Sequence, residues 1–267
     1  FYPAKTCFQS NAYLSCQSRL VKKTFSNYND VKVKRDTHSL HQTKGFHFMN
    51  IYDILGPVMV GPSSSHTAGA VRIGLITRRL LGTAPVHAEI SLSGSFAATG
   101  TGHGTDRALI AGLLGMQPDD IRIPDSFSFA AEAGLTFTFH KINLKDAHPN
   151  TAILRVSSAD GRPLEIQAAS LGGGRILVNR LDGIRVNFTG DAPTLIVHNL
   201  DKPGCVADVT SLLSRNGVNI ATMQLYRNYR GGYAVMVVET DQNIAAEALE
   251  LLRHLDGVTK VTYLAAD

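Results

Sequence analysis

Five stretches of the sequence carry residues whose types and spacing could do chemistry. The first is Gly61-Pro62-Ser63-Ser64-Ser65-His66-Thr67. An apolar run punctuated by Gly and Pro ends there, and a helical pattern begins in which Ile73, Ile76 and Leu80 recur at helical spacing. A helix start leaves backbone N–H groups free and carries about half a positive charge. With three serine hydroxyls added, it is suited to hold an anion. His66 lies in the same first turn, and an ordinary histidine pKa near 6.5 suits it to move protons at neutral pH. The same residues also suit a plain serine cap beside a surface histidine.

The second stretch, Gly94 to Asp106, reads as one long turn rich in glycine and hydroxyls, carrying His103, Thr105 and Asp106. Glycines there would let a ligand approach the backbone closely; a turn capped by Thr105 is the alternative. If the two loops face each other, they form one site. Gly100-Thr101-Gly102 lacks the full G-x-G-x-x-G spacing, which argues against a nucleotide-binding protein. The third stretch, Asp146-Ala147-His148-Pro149-Asn150-Thr151, is polar, and a lone His148 suits a structural role. The fourth, Gly172-Gly173-Gly174, fits a tight turn better than an anion nest. The fifth, Asn199-Leu200-Asp201-Lys202-Pro203-Gly204, joins a strand to a helix start and could hold a small zwitterion, or be an ordinary loop of an interaction domain.

These loops need elements to position them. A helix follows the serines and closes at Gly82, with Arg78 and Arg79 in its last turn. Residues 87–92 alternate as a strand, and a helix runs from Arg107 to Gly115. Short strands are expected at 135–140, 151–156, 163–168, 175–179 and 184–188. Gly190-Asp191-Ala192-Pro193 reads as a linker. Beyond it come strand 194–198, helix 205–214, strands 219–226 and 233–239, helix 245–254 and strand 258–263. That order is βαββαβ, with buried faces read as Leu195/Val197, Val235/Val237 and Val258/Val261. The fold class is α+β, with an α/β domain over 49–190 followed by the βαββαβ unit over 193–267.

Charge divides the chain unevenly. Residues 1–48 carry eight basic side chains against two acidic, a net +6, whereas the remaining 18 basic and 20 acidic residues leave −2. The high pI therefore comes from the leader, and charge gives no reason to expect nucleic acid or an anionic membrane as partner. The leader lacks a signal-peptide core and sustained periodicity. It is expected to be disordered and foreign to the native chain, with Met49 as the start. Cys7 and Cys16 lie in it, so Cys205 stands alone in the body. That excludes a disulfide framework and a cysteine-held metal site built by this chain, and it fits a reducing cytoplasm. No apolar stretch is long enough to span a membrane.

The motifs converge on a family. Gly61 to Gly69 resembles the signature of the iron–sulfur L-serine dehydratases, and Gly102-His103-Gly104-Thr105-Asp106, His148 to Thr151 and Ser170 to Gly174 resemble further segments in the same order. The likeness runs from Met49 to the C-terminus and is greatest to the separate beta chain of the two-subunit bacterial form. Residues 193–267 resemble an ACT domain, an amino-acid-sensing module. Residues 49–190 resemble the allosteric-substrate-binding domain shared with some phosphoglycerate dehydrogenases.

The resemblance implies conversion of L-serine to pyruvate and ammonia with a [4Fe-4S] cluster held by a partner alpha chain, one iron acting as Lewis acid on the substrate hydroxyl. It implies His66 as the base or a substrate-orienting group. Ser63, Ser64, Ser65 and Thr67 would bind substrate, and His103, Thr105 and Asp106 would line the same cleft. Asn199, Asp201 and Gly204 would sit where related domains hold an amino acid, although an ACT-mediated homodimer is the favoured role of that unit. Single-chain members often read Gly-His-His-Thr-Asp where this chain has Gly104, so any role of that second histidine is absent here. The competing reading is an amino-acid sensor without catalysis, which would have no need of a histidine in the anion pocket.

Overall fold

The computed structural model describes residues 58–266. The expected leader, with Met49, lies outside them. Two sheets organise the rest. The helix begins as a wide π-type turn over Ser64–Ala68 and continues as α1, Gly69–Leu81, closed by Gly82 in the left-handed conformation. Strand β1 (Pro85–Gly94), helix α2 (Ser95–Thr99), helix α3 (Thr105–Leu114) and helix α4 (Ser126–Glu132) follow. Then come β2 (Thr136–Ile142), β3 (Asn150–Ser158), β4 (Pro163–Gly172), β5 (Arg175–Leu181) and β6 (Ile184–Phe188).

The first sheet has the order β2-β1-β3-β4-β5-β6, with β1 and β2 parallel and the other pairs antiparallel. Alternation along β1 sends Ala88, Ile90 and Leu92 into the core, where they meet Ile73, Ile76 and Leu80 of α1 and Leu109, Ile110 and Leu113 of α3. Each such aliphatic side chain contributes roughly 1.5–3 kcal/mol by leaving water. On the other face Arg155 joins Glu89 at 3.4 Å and Glu165 at 2.6 Å. These exposed pairs add little.

Helices α1 and α3 touch backbone to backbone. A Cβ added at Gly74 would lie 2.4 Å from Leu109 O, and one at Gly112 would lie 2.1 Å from Val71 O. Each glycine is thus the residue that lets the other helix in.

Two sequence expectations are corrected in this region. Gly94–Asp106 is not one turn, because α2 occupies Ser95–Thr99; Phe96, 1% exposed, buries this short helix against the core. Helix α3 starts at Thr105 rather than Arg107, so Thr105 and Asp106 belong to its first turn. Helix α4 has no counterpart in the sequence reading.

The second sheet, order β10-β7-β9-β8, is antiparallel throughout and contains β7 (Thr194–Leu200), β8 (Ile220–Arg227), β9 (Tyr233–Thr240) and β10 (Val258–Leu264). Helices α5 (Cys205–Arg215) and α6 (Ala246–Arg253) cover one face, packing on Leu195, Val197, Met236 and Val238. Val235 and Val237, expected on that face, point the opposite way and join the first core with Ile196. The sheet is therefore apolar on both sides, which defeats a one-face reading of its alternation. Val258 and Val261 do share the helix side, because a bulge between Val258 and Lys260 resets the alternation. The 190–193 segment is held down: Arg72 pairs with Asp191, and Gly190 lies so close to Ile76 that a Cβ would meet its Cδ1 at 2.6 Å. Among the described residues no helix is long and apolar enough to cross a membrane.

Gly112→Ala tests the helix contact. Alanine gains about 1 kcal/mol of helix propensity, but the obstructing atoms are backbone and cannot rotate away. The expected outcome is a net loss of about 1–3 kcal/mol, the scale of overpacking, read from the denaturant midpoint of the full chain.

Candidate active site

The π-type turn shapes the first loop. Ser63 stands at its N-cap with extended backbone (φ −146°), and its Oγ accepts from the His66 amide at 3.2 Å. The Gly69 amide donates to Ser64 O, five residues back. That extra residue per turn widens the helix start, and such turns recur at functional sites. Two glycines permit it. Gly61 has φ 141°, and a Cβ on it would strike the Thr67 side chain at 2.5 Å. At Gly69 a Cβ would lie 2.0 Å from Ser170 Oγ.

His66 is turned inward and only 8% exposed. Both ring nitrogens face hydroxyls. Nε2 lies 3.1 Å from Ser95 Oγ and 3.2 Å from Thr99 Oγ1. Nδ1 lies 3.1 Å from Ser65 Oγ and 3.4 Å from Ser63 Oγ. Phe96 presents its ring at 5.3 Å and His103 at 4.9 Å between centroids. Burial pushes the His66 pKa below its ordinary value, the neighbouring His103 adds to this, and a hydrogen bond with the Ser95 backbone partly opposes it. Among the described residues no carboxylate pairs with the ring, so only the Ser95 backbone favours the imidazolium.

The structure brings Ser63, Ser64, Ser65, His66, Thr67 and His103 together. Thr67 Oγ1 donates to His103 O at 3.4 Å, which ties the first loop to the second. Ser64 Oγ accepts from the Gly173 amide at 3.3 Å, so the three-glycine turn also reaches the site. Thr105 lies behind these residues, fully buried, and its amide donates to Gly100 O at 2.8 Å. The half-buried Asp106 accepts from the Arg107 amide at 2.8 Å and suits the positive helix start. His148 Nδ1 accepts from the Asn150 amide at 3.1 Å, a local structural role. Asn199, Asp201 and Gly204 belong to the second sheet's loop. Asn199 donates to Leu200 O at 2.7 Å, Asp201 is engaged by Arg227 at 3.0 Å and the Gly231 amide at 2.9 Å, and Gly204 caps α5 with φ 100°.

Ser95 and Thr99 are the site residues the sequence reading did not single out. Their spacing of four was the available signal, since it places both hydroxyls on one face of a helix. Helix α2 is aimed by Pro149, whose carbonyl accepts from the Ser95 amide at 2.7 Å and from the Phe96 amide at 3.4 Å. Unpartnered buried polar atoms also concentrate on the surrounding segments: His103 Nδ1, Thr105 Oγ1, Asn150 Oδ1 and Ser170 Oγ. Buried polar atoms are usually paired, so these four are open to a further partner, as are Asn179 Oδ1, His198 Nε2 and Asn199 Oδ1 away from the site. Among the described residues no group of three or more His, Cys, Asp or Glu could hold a metal ion. Cys205 is buried under the second sheet, with Sγ 3.7 Å from Asp256 O.

Comparison with known proteins bears on this geometry. The family described as "Serine dehydratase beta chain" matches residues 48–180, and the ACT domain matches residues 193–257. A probable L-serine dehydratase beta chain of Bacillus subtilis is 40% identical over 218 residues, covering 82% of this chain and 99% of that protein. The L-serine dehydratase beta chain of Peptoniphilus asaccharolyticus is 35% identical, covering 80% of this chain and 96% of that one. A D-3-phosphoglycerate dehydrogenase of Archaeoglobus fulgidus is 29% identical over 73% of this chain but only 37% of its own length.

The lowered His66 pKa makes a stability prediction. Because the folded value lies below the unfolded value near 6.5, the unfolded chain binds more protons between the two. Stability is therefore intact above about pH 6.5 and declines as pH falls toward the folded pKa. His66→Gln is expected to remove that part of the acid sensitivity, measured as the difference between the two proteins' unfolding free energies across this range.

Proposed function

This chain belongs to the serine dehydratase beta-chain family, and we propose that its Ser63–Thr67 turn and His66 form the substrate-gripping, proton-accepting half of an L-serine dehydratase active site. The observation that carries this is the buried, inward-turned imidazole at the mouth of a hydroxyl-lined helix start, its pKa lowered by burial. The amides of Ser64 and Ser65 and the Ser64 hydroxyl would hold the serine carboxylate. His66 would take the Cα proton, His103 and Thr67 would frame the substrate, and Thr105 and Asp106 would support that wall. Loss of that proton and of the β-hydroxyl as water gives an aminoacrylate, which hydrolyses to pyruvate and ammonia.

A [4Fe-4S] cluster is held by several cysteine thiolates, four when every iron has a protein ligand and one fewer when an iron is left open to substrate. The described residues offer Cys205 alone, buried and turned toward a backbone carbonyl, so they do not fit the cluster. In this reading the cluster belongs to an alpha chain that closes the site from the other side. The chain works in the cytoplasm with that partner and L-serine, without nucleic acid or membrane. The ACT unit serves chiefly to pair two copies, since Asp201 is already engaged by Arg227 and Gly231.

The similarity to part of a phosphoglycerate dehydrogenase favours a second reading, a sensor that binds an amino acid without reacting it. The two separate on His66→Ala. Co-expressed with an alpha chain, that variant is expected to assemble normally and lose about 10²-fold or more in serine turnover, the scale of acid–base assistance. Normal turnover would remove His66 from the reaction. Ser64→Ala is expected to raise KM for serine about tenfold, as loss of one hydrogen bond to a charged group would, with kcat little changed in the same assay.

A further inference from the structure

We infer that Thr99 sets the tautomer of His66, placing the ring hydrogen on Nε2 and the proton-accepting lone pair on Nδ1, toward the serines. The role of that lone pair rests on the catalytic reading of His66 given above; the tautomer itself does not.

The number of hydrogens around the ring fixes the assignment. The Thr99 hydroxyl has a single hydrogen. Its Oγ1 lies 3.0 Å from the carbonyl oxygen of Ser95, one turn back in α2, and a carbonyl can only accept. The hydrogen is therefore committed there. Toward His66 Nε2, at 3.2 Å, Thr99 has only a lone pair to offer, so Nε2 must be the donor. A neutral imidazole carries one N–H, which leaves Nδ1 bare. Nδ1 then needs donors, and it has them in Ser65 Oγ at 3.1 Å and Ser63 Oγ at 3.4 Å. Ser63 Oγ already accepts from the His66 amide, so its own hydrogen is free to point toward the ring or toward Ser65 at 3.3 Å. Ser95 Oγ, 3.1 Å from Nε2, can accept alongside Thr99, with its own hydrogen directed to Thr99 Oγ1 at 3.4 Å. Every hydrogen in the cage has a place under this assignment. With the opposite tautomer, Nε2 and Thr99 Oγ1 would face each other with lone pairs.

The consequence is directional. The basic nitrogen is the one beside Ser63 and Ser65, at the helix start where a carboxylate would be held, and not the one against α2. Thr99 is in this sense a positioning residue, since it acts through the ring and touches no substrate atom.

Two variants and one spectrum test this. In the full chain labelled with ¹⁵N-histidine, the His66 signals, identified by their loss in His66→Gln, are expected to show the Nε2–H pattern above the imidazole titration. Thr99→Ser, which keeps the hydroxyl, should preserve it. Thr99→Val, which keeps the shape but removes the acceptor, should give a mixture of tautomers. In the complex with an alpha chain, Thr99→Val should lower kcat about tenfold, a part of the roughly 10²–10⁴-fold that proton-transfer assistance supplies, leave KM within about twofold of its value, and shift the acid limb of the pH profile; Thr99→Ser should restore all three. An Nδ1–H pattern in the unmodified chain overturns the proposal, as does a Thr99→Val protein with unchanged tautomer. If His66→Ala turns over normally while the Nε2–H pattern stands, the catalytic reading fails and the tautomer assignment survives.

Discussion

Backbone contact between α1 and α3 is the constraint on which the site depends. Helix axes in proteins usually lie about 8–10 Å apart because side chains stand between them. Gly74 and Gly112 remove those side chains at the crossing, and each leaves room for the other helix's backbone. The N-termini of both helices carry the site loops, so this approach decides how near the loops come. Thr67 then reaches the carbonyl of His103, and the rings of His66 and His103 lie 4.9 Å apart. Gly61 and Gly69 do the same at shorter range by giving the wide turn space against Thr67 and Ser170.

The chemistry of the pocket follows from what surrounds the imidazole. A carboxylate partner would hold it charged. Hydroxyls do not, and each contributes only about 0.5–1.5 kcal/mol net as a hydrogen-bond partner. Burial and the second histidine act in the same direction. The surroundings thus favour the neutral ring, while its orientation is held by contacts that carry no charge. The free charge-binding capacity sits one step away, at the amides of the helix start, where an anionic group would not have to compete with a resident carboxylate.

Much of this was legible in the residues. The serine run followed by Ile73, Ile76 and Leu80 marked the helix and its cap, and the βαββαβ order could be followed through Asn216-Gly217, Gly231-Gly232 and Asp256-Gly257. Helix α2 was hidden because glycine and hydroxyl residues read as turn, whereas burial of Phe96 and the Pro149 carbonyl stabilise a helix there. Val235 and Val237 are buried as read, but on the face opposite the helices, because alternation identifies a single buried face only when the other face is wet. The partners of His66 were beyond reach for a different reason. Ser95 and Thr99 lie 29 and 33 residues away, on a short helix that the tertiary contacts of Phe96 and Pro149 aim at the ring. The resemblance, in turn, named a ligand that the geometry alone leaves as an anion beside a base.

The shared face of the second sheet has a bearing on symmetry. Ile196, Val235 and Val237 are committed to the first core, and α5 and α6 cover the other side. Neither face is left for another copy of the chain. A twofold axis relating two copies through this unit must therefore pass beside a strand edge or between helix backs, never through the sheet's plane. Any dimer so formed would be joined at a strand edge or through the outer sides of α5 and α6, with each copy's α1 and the pocket at its start anchored to its own second sheet.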